Sequence, residues 1–337
     1  MIREFDNIDL SARNSFHVAQ RAARLVEFDS TEDLRTLFAN KSLRNWYVLS
    51  GGNNILFTRD FEGVLLTPTA RQITLVSEDA TSVEVTADAG VEWDDLVAWA
   101  VERELWGIEN LSLIPGKCGS APVQNIGAYG CEVKDVLKSV EMFCVDTLNT
   151  LIMDAAHGGF GYRESIFKHT LKGRVVITSI TLKLSKIPAP NLGYGDVIRE
   201  VEARGGATLL NIREAICAIR RAKLPDTVVT GNAGSFFKNP IVELAVAERL
   251  KVLYPDMPLY PVAADPLRAK LAAGWLIEQA GMKGHSEGCV GVHPRQALVL
   301  INLGGATGGE VIAFSRKVQE AVRTKFGVTI DTEVNIL

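Results

Sequence analysis

The sequence lacks most of the marks that assign a protein class by themselves. Its five cysteines (Cys118, Cys131, Cys144, Cys217 and Cys289) are odd in number and include no C-x-x-C pair. That pattern indicates neither a disulfide framework nor a cysteine zinc site. The five histidines show no H-E-x-x-H or other ligand spacing, so no metal is expected. There is no Lys/Arg block and the formal net charge is −4, so no nucleic-acid partner is expected. No apolar run approaches the roughly 18 residues of a membrane span. The opening MIREFDNIDL carries acids and no apolar signal core. A cytoplasmic protein without a membrane contact is the expectation. G-x-G-x-x-G is absent, which disfavours a Rossmann dinucleotide site. The Walker pattern is absent as well. No internal repeat or low-complexity tract occurs.

What is present is an ordinary globular composition: 337 residues, 47% hydrophobic and 23% charged. That length suggests two or three domains. The chain is organised around Pro115 to Gly130, PGKCGSAPVQNIGAYG. Small residues (Gly116, Gly119, Ser120, Gly127, Ala128) sit among amide side chains and one aromatic, Tyr129. Glycine permits positive φ and close approach of another surface. Gln124 and Asn125 can each donate and accept. A long aperiodic loop between strongly apolar segments reads as a backbone cradle for a bulky polar ligand. The other reading is a tight surface loop with incidental glycines.

Ser30 and Asp33 form a capping pattern before a helix over TEDLRTLFAN. Residues 46–58, WYVLSGGNNILFT, read as strand, glycine turn, strand. A hairpin turn explains Gly51, Gly52, Asn53 and Asn54. The functional alternative is backbone N–H groups offered to a phosphate. Val83, Val85 and Ala87 alternate as in a half-buried strand. Trp93, Leu96, Val97, Ala100 and Val101 mark one face of a helix. Residues 139–154 read as a hairpin, and 174–185 as a β-branched strand. Pro188 and Pro190 punctuate the chain. Tyr194 stands between Gly193 and Gly195.

Asn211 with Glu214 is expected to cap a helix ending in RRAKLPD, where Arg220, Arg221 and Lys223 gather. Cations favour a helix C-terminus; a phosphate-binding cluster is the functional alternative. Residues 231–240, GNAGSFFKNP, form a second small-residue loop. Helices are expected around 242–253, over 267–280 with Gly281 as its stop, and over 310–326 stopped by Gly327. Residues 293–302 enter a buried strand. The terminal segment alternates as one strand, with Val328, Ile330, Thr332, Val334 and Ile336 on one face.

Together SGGNNILF, IPGKCGSAPVQNIGAYG, FGYRESIFK, YGD, RRAKLPD, GNAGSFFKNP, AGWLIEQAG, HPRQALVLIN and the terminal EV occur in one order. That order resembles the UDP-N-acetylenolpyruvoylglucosamine reductases, flavoenzymes of peptidoglycan precursor synthesis. The resemblance runs from about Asn14 to Glu333, and the separate Tyr194 segment resembles the family's first type. It implies an α+β fold: a two-part FAD-binding module of the PCMH type plus a C-terminal α+β substrate-binding domain. The implied divisions are 1–70, to which 326–337 returns, then 71–219 and 220–325. The implied reaction is NADPH-dependent reduction of UDP-N-acetylglucosamine enolpyruvate to UDP-N-acetylmuramate, through non-covalent FAD with NADPH as co-substrate. A monomer is expected.

The resemblance also carries residue roles. Arg163 of YRES, Ser235 of GNAGSFF and Glu333 match the catalytic arginine, proton-donor serine and acidic partner. Tyr194, Lys223, Asn239, Lys283 and Gln296 match positions that hold the UDP and sugar. Ser50, Gly51, Gly52, Asn53 and Asn54, with Pro115, Gly116, Gly119, Ser120, Gln124, Asn125, Gly127, Ala128 and Tyr129, would wrap the FAD. Related enzymes with covalent FAD often place histidine where Asn53 stands, so a dissociable cofactor is implied. Two residues depart from the family's pattern: Asn53 stands for a usual serine, and Asn335 for an arginine near Glu333. The alternatives are another FAD-dependent oxidoreductase of the superfamily, or a catalytically inactive nucleotide-sugar binding protein.

Overall fold

The computed structural model describes residues 1–39, 43–262 and 265–337. The chain divides into two compact units, each gathered from separate stretches. The first comprises Met1–Ile8, Ala22–Gly51 and Glu62–Ala222. The second comprises Asp9–Arg21, Gly52–Phe61 and Lys223–Leu337. Helices and sheets are mixed in both, as an α+β chain requires.

In the first unit a four-stranded sheet has the order Arg3–Asp9, Arg21–Phe28, Phe61–Pro68, Trp46–Val48. The helix Thr31–Ala39 starts where expected, with the Ser30 hydroxyl accepting the Asp33 N–H at 3.2 Å. Asn40, expected in this helix, lies outside the described residues. Leu34 and Phe38 pack against Val26, Phe28 and Leu66.

The second sheet of this unit is antiparallel. Its order is Asn149–Asp154, Leu137–Cys144, Val175–Ser185, Ser82–Asp88, Ile73–Glu78. The expected hairpin is there, with Ser139 opposite Asp154 and Cys144 opposite Asn149. Successive side chains of a strand point to opposite faces, so neighbours feed two cores. Met142 and Ile177 join Trp93, Leu96 and Val97, whereas Phe143 and Val176 join Phe28 and Phe38. The helix Trp93–Glu102 buries the face expected of it, with Val101 half-buried. A third cluster gathers Trp106 with the helices Val197–Glu202 and Leu209–Lys223.

The second unit is built on a sheet of order Gly231–Ser235, Val299–Asn302, Val290–Val292, Ser286–Glu287. The helix Gly308–Phe326 buries Val311, Phe314, Val318 and Val322. A capping box of Thr307 and Glu310 starts it, and Gly327 at φ 67° stops it. A Cβ on Gly308 would lie 1.9 Å from the Phe57 carbonyl oxygen, so only glycine lets the helix begin there.

Four expectations are corrected, three of them by strand-pairing partners elsewhere in the chain. Residues 46–58 are not a hairpin: Trp46–Val48 pairs in parallel with Val64–Leu66, and Ile55–Leu56 in parallel with Asn335–Ile336. The stretch over 267–280 is not one helix. Arg268–Leu271 is a strand between Ile241–Glu243 and Leu259–Pro261, and the helix is Ala273–Gln279. Asn211 is not a cap, because the Thr208 hydroxyl already accepts the Asn211 N–H at 3.1 Å. The Asn211 amide instead donates to the Arg204 and Gly206 carbonyls. The terminal segment buries Val328, Ile330 and Val334 as its alternation requires, but it is not one strand. Thr332 bridges Phe237, Asn335–Ile336 pairs elsewhere, and Ile336 is exposed.

One carboxylate organises the approach to residues 115–130. Asp94 receives Arg213 through both terminal guanidinium nitrogens at 2.7 and 2.8 Å, and the Leu113 N–H at 2.5 Å. Burial alone would raise the Asp94 carboxyl. The Arg213 hydrogen bonds, the Leu113 N–H and the charges of Arg213 and Arg220 outweigh it and hold the pKa below the usual value. A folded pKa below the unfolded one stabilises above the unfolded pKa of about 4 and loses that stability as pH falls through the folded value. Asp94→Asn should therefore lower stability at pH 7 by about 1–2 kcal/mol, allowing for partial exposure of the pair. In thermal melts across pH, the gap from wild type should close below pH ~4. A gap independent of pH would contradict this account.

Candidate functional site

The 115–130 segment is a chain of turns laid against residues 89–93. The Gly116 carbonyl accepts the Trp93 N–H at 2.8 Å, and the Cys118 and Gly119 N–H groups donate to Val91 and Ala89. The N–H groups of Ser120, Ala121, Val123, Asn125 and Ile126 donate to carbonyls within the segment. Ser120 closes its own turn, its hydroxyl donating to the Lys117 carbonyl at 2.7 Å. Gly119 lies where a Cβ would stand 2.5 Å from Ala89 Cβ, so its glycine answers to the protein's own packing. Gly127–Ala128 then pairs with Cys131–Glu132.

Asn125 is fully buried with φ 46°. Its amide donates to Glu132 at 2.9 Å and to the Gly161 carbonyl at 3.0 Å, and accepts the Lys134 N–H at 3.1 Å. The side chain thus ties the segment to the turn that carries Arg163. In that turn Gly161 and Glu164 exchange backbone hydrogen bonds around Tyr162 and Arg163. Arg163 takes φ 56°, uncommon outside glycine and of order 1 kcal/mol in strain. Lys168 holds the Arg163 carbonyl at 2.9 Å, and the Arg163 guanidinium donates to the Gly127 carbonyl at 3.0 Å. Its charge lies 5.4 Å from the Tyr162 ring centroid. The protein's own groups thus hold this cation in place.

The two candidate tyrosines meet. Tyr129 and Tyr194 touch edge to face at 6.0 Å, and Tyr194 is half exposed. Burial raises the Tyr129 hydroxyl's pKa, against the opposing pull of Arg220. Burial lowers the Arg220 pKa in turn, and its Nε donates to the Leu113 carbonyl at 3.2 Å. Two amide partners, Asn110 buried and Asn191 half-buried, escaped the sequence reading. Asn110 donates to the Tyr129 and Asn191 carbonyls at 2.9 and 2.8 Å, and Asn191 donates to the Gly130 carbonyl at 3.1 Å. Nothing in the sequence marks a lone loop asparagine as buried.

In the second unit, Ser235 ends a strand bulged between Asn232 and Ser235, with Gly234 at φ 70°. The Glu333 N–H donates to the Phe236 carbonyl at 2.8 Å, so these two catalytic candidates come together through the backbone. The carbonyl of Asn54 accepts from both the backbone and the amide of Asn335, at 3.1 and 2.9 Å. Asn335, which departs from the family's arginine, therefore anchors the 52–54 turn. Gly52 is required by that turn: at φ 66° its Cβ would lie 2.2 Å from the Arg13 carbonyl oxygen.

Asn239 caps the helix Ala273–Gln279, accepting the Ala273 N–H at 2.9 Å. A Cβ on Gly274 of that helix would lie 3.5 Å from the Gln296 amide oxygen, which places Asn239 and Gln296 at one helix start. Lys283 lies beyond the other end of this helix and pairs with Glu278 at 2.8 Å. Lys223 is exposed at the C-terminus of its own helix.

The close approach of Gly119 to Ala89 is directly testable. Gly119→Ala should lower the melting temperature, with a cost of about 1–3 kcal/mol for overpacking. Adding Ala89→Gly should restore part of the loss. Equal melting of Gly119→Ala and wild type would mean the approach is not constraining.

Residues 226–337 match the family described as "UDP-N-acetylenolpyruvoylglucosamine reductase, C-terminal domain", and residues 22–147 match the family described as "FAD binding domain". The chain is 45% identical over 336 residues to the UDP-N-acetylenolpyruvoylglucosamine reductase of Chromobacterium violaceum, covering 98% of each. It is 44% identical to that of Bacteroides fragilis, covering 97% of this chain and 98% of the relative. The crystal structure of the reductase from Thermus caldophilus shares the fold, with a TM-score of 0.71 at 22% identity over 100% of this chain and 99% of that one. The expected two-part FAD module and C-terminal α+β domain thus stand, and the chain belongs to the UDP-N-acetylenolpyruvoylglucosamine reductase family.

Proposed function

We infer that this protein reduces UDP-N-acetylglucosamine enolpyruvate to UDP-N-acetylmuramate with NADPH and FAD, in the supply of peptidoglycan precursor. The observation that carries the reading is near full-length identity to named reductases. The residues suit a flavin dinucleotide. The Ser50 hydroxyl at the head of the SGGNN turn is buried with no hydrogen-bond partner, as a group awaiting a polar ligand would be. Asn53 offers no imidazole for covalent attachment, so the cofactor is held by non-covalent contacts.

The FAD that these residues would hold would supply the two-electron chemistry, transfer of hydride from NADPH to the terminal alkene carbon. The chain's residues manage the charge and the proton. Hydride arrival next to a carboxylate builds an enediolate-like anion, and Arg163 meets that charge. Ser235 gives its hydroxyl proton to the neighbouring carbon, completing the lactyl ether. A serine is a weak acid, but the carbanion it quenches is strongly basic. Glu333 acts as its acidic partner. Lys223 meets the diphosphate charge. Tyr194, Asn239, Lys283 and Gln296 hold the nucleotide sugar, with Asn239 and Gln296 placed by one helix start.

By function the chain falls into 1–70 with 326–337, 71–219 and 220–325, the first two for the cofactor and the third for the substrate. Among the described residues no helix is long and apolar enough to cross a membrane. The substrate is a water-soluble nucleotide sugar, and the reading puts the enzyme in the cytoplasm as a monomer.

Stopped-flow flavin absorbance separates the half-reactions. Purified protein should be yellow and release intact FAD on denaturation. Anaerobic NADPH should bleach it, and the enolpyruvyl sugar should restore the colour. Ser235→Ala should leave bleaching nearly intact and slow recovery by about 10²–10⁴. Ser235→Cys should regain part of that rate, because a thiol can also donate. Equal slowing of both steps would remove the proton-donor role, and reoxidation by oxygen without the sugar would indicate an oxidase.

Lys223→Ala should raise the dissociation constant of the UDP-sugar, most at low salt where charge is least screened. An unchanged constant at low salt would remove Lys223 from the site.

A further inference from the structure

We propose that Asn110 is a positioning residue for substrate binding: its buried amide pins the segment carrying Tyr194 to the turn carrying Tyr129. The proposal rests on the reading that Tyr194 contacts the nucleotide sugar. Asn110 lies in the turn Glu109–Leu111 and is 1% exposed. Its two amide hydrogens go to carbonyls of two other segments, Tyr129 at 2.9 Å and Asn191 at 2.8 Å. The amide cannot be turned over, since its oxygen would then face two carbonyl oxygens. Asn191 answers from its own side, donating to the Gly130 carbonyl at 3.1 Å and Cys131 Sγ at 3.4 Å. Four hydrogen bonds therefore cross between 129–131 and 191, two of them through Asn110.

The segment has little else to hold it there. Residues 188–193 belong to no strand or helix. Added Cβ atoms on Gly193 and Gly195 would meet nothing within 4 Å. Leu192 packs in part against the cluster of Val197 and Trp106, and Val197 is fully buried. The arch that carries Tyr194 is thus anchored at Asn191–Leu192 and at Val197. Without the Asn110 bond that end of the arch is left to the Asn191 side-chain bonds and the partial packing of Leu192, and where these give way the next anchor is Lys186, whose N–H donates to the Thr81 carbonyl at 2.8 Å. A longer free arch loses more entropy whenever Tyr194 is brought to one place. The remaining Asn110 atom, Oδ1, has no partner. An apolar residue would avoid that orphan, so the amide suits the pinning of two carbonyls better than it suits stability alone.

Chymotrypsin, which cuts after exposed tyrosine, reads the arch without any ligand. Asn110→Ala should raise the cleavage rate after Tyr194 by about fivefold or more at a temperature where circular dichroism shows the variant folded. Asn191→Ala, which keeps its backbone carbonyl, should raise it less. Unchanged cleavage in Asn110→Ala overturns the proposal. If that variant does not fold, unchanged cleavage in Asn191→Ala does so.

The second arm measures UDP-N-acetylglucosamine enolpyruvate affinity in a double-mutant cycle. Asn110→Ala should weaken binding about tenfold in the wild-type background and add nothing further in Tyr194→Ala. A merely structural defect would add in both, and additive losses overturn the proposal. Failure of the wild-type protein to bind the sugar would instead sink the proposed function, and the cleavage arm would still decide whether Asn110 pins the arch.

Discussion

The glycine-rich part of the first unit depends on a charge pair that is also a backbone clamp. Asp94 grips Arg213 with both oxygens and takes the Leu113 N–H. Arg220, two helical turns beyond Arg213, takes the Leu113 carbonyl. Both backbone groups of one residue are thus held by side chains, in a turn where Leu113 stands at φ 59°. The glycine-rich segment starts directly after that turn. Its first strand-like contacts, to Trp93 and Val91, come from the start of the helix that carries Asp94 and the residues just before it. Helix, turn and loop are therefore tied to one another. The ion pair matters less for its energy than for the three backbone pieces it aligns.

The same logic recurs wherever this chain lacks a sheet to satisfy its backbone. A buried loop must find partners for every N–H and C=O. Here amide side chains supply them: Asn110 and Asn191 at the tyrosines, Asn125 at the arginine turn. Asparagine is short, so the segments it joins have little room to shift. Arg163 shows the consequence. Its backbone is strained and its carbonyl is held, so its charge has a set direction. Such preorganisation suits the role proposed for Arg163, the stabilisation of a developing anion.

The second unit solves its problem with strands. A bulge turns Ser235 out of regular register, and the Phe236 carbonyl fastens the Glu333 segment beside it. Asn335 extends the attachment to the turn at Asn54. A residue that departs from the family's arginine thereby keeps a structural task, through neutral hydrogen bonds.

Periodicity and capping chemistry are local, and the sequence by itself determined what depends on them. The Ser30 cap, the helix face of Trp93 and Leu96, the 139–154 hairpin and the Gly327 stop could all be read without coordinates. So could the order of motifs that marks the family, because it resides in residue identity. Partners remote along the chain could not be read. Strand pairing is blind to sequence separation, so Ile55 looked like half of a hairpin until Asn335 claimed it. Helix-forming residues at 268–271 became a strand because two neighbours offered a ladder. A loop asparagine looks alike whether solvated or buried. Only the tertiary structure decided that Asn110, Asn125 and Asn191 are clasps, because it brings carbonyls remote along the chain within reach of their amides, and around the buried Asn110 and Asn125 no water can take the amide's place.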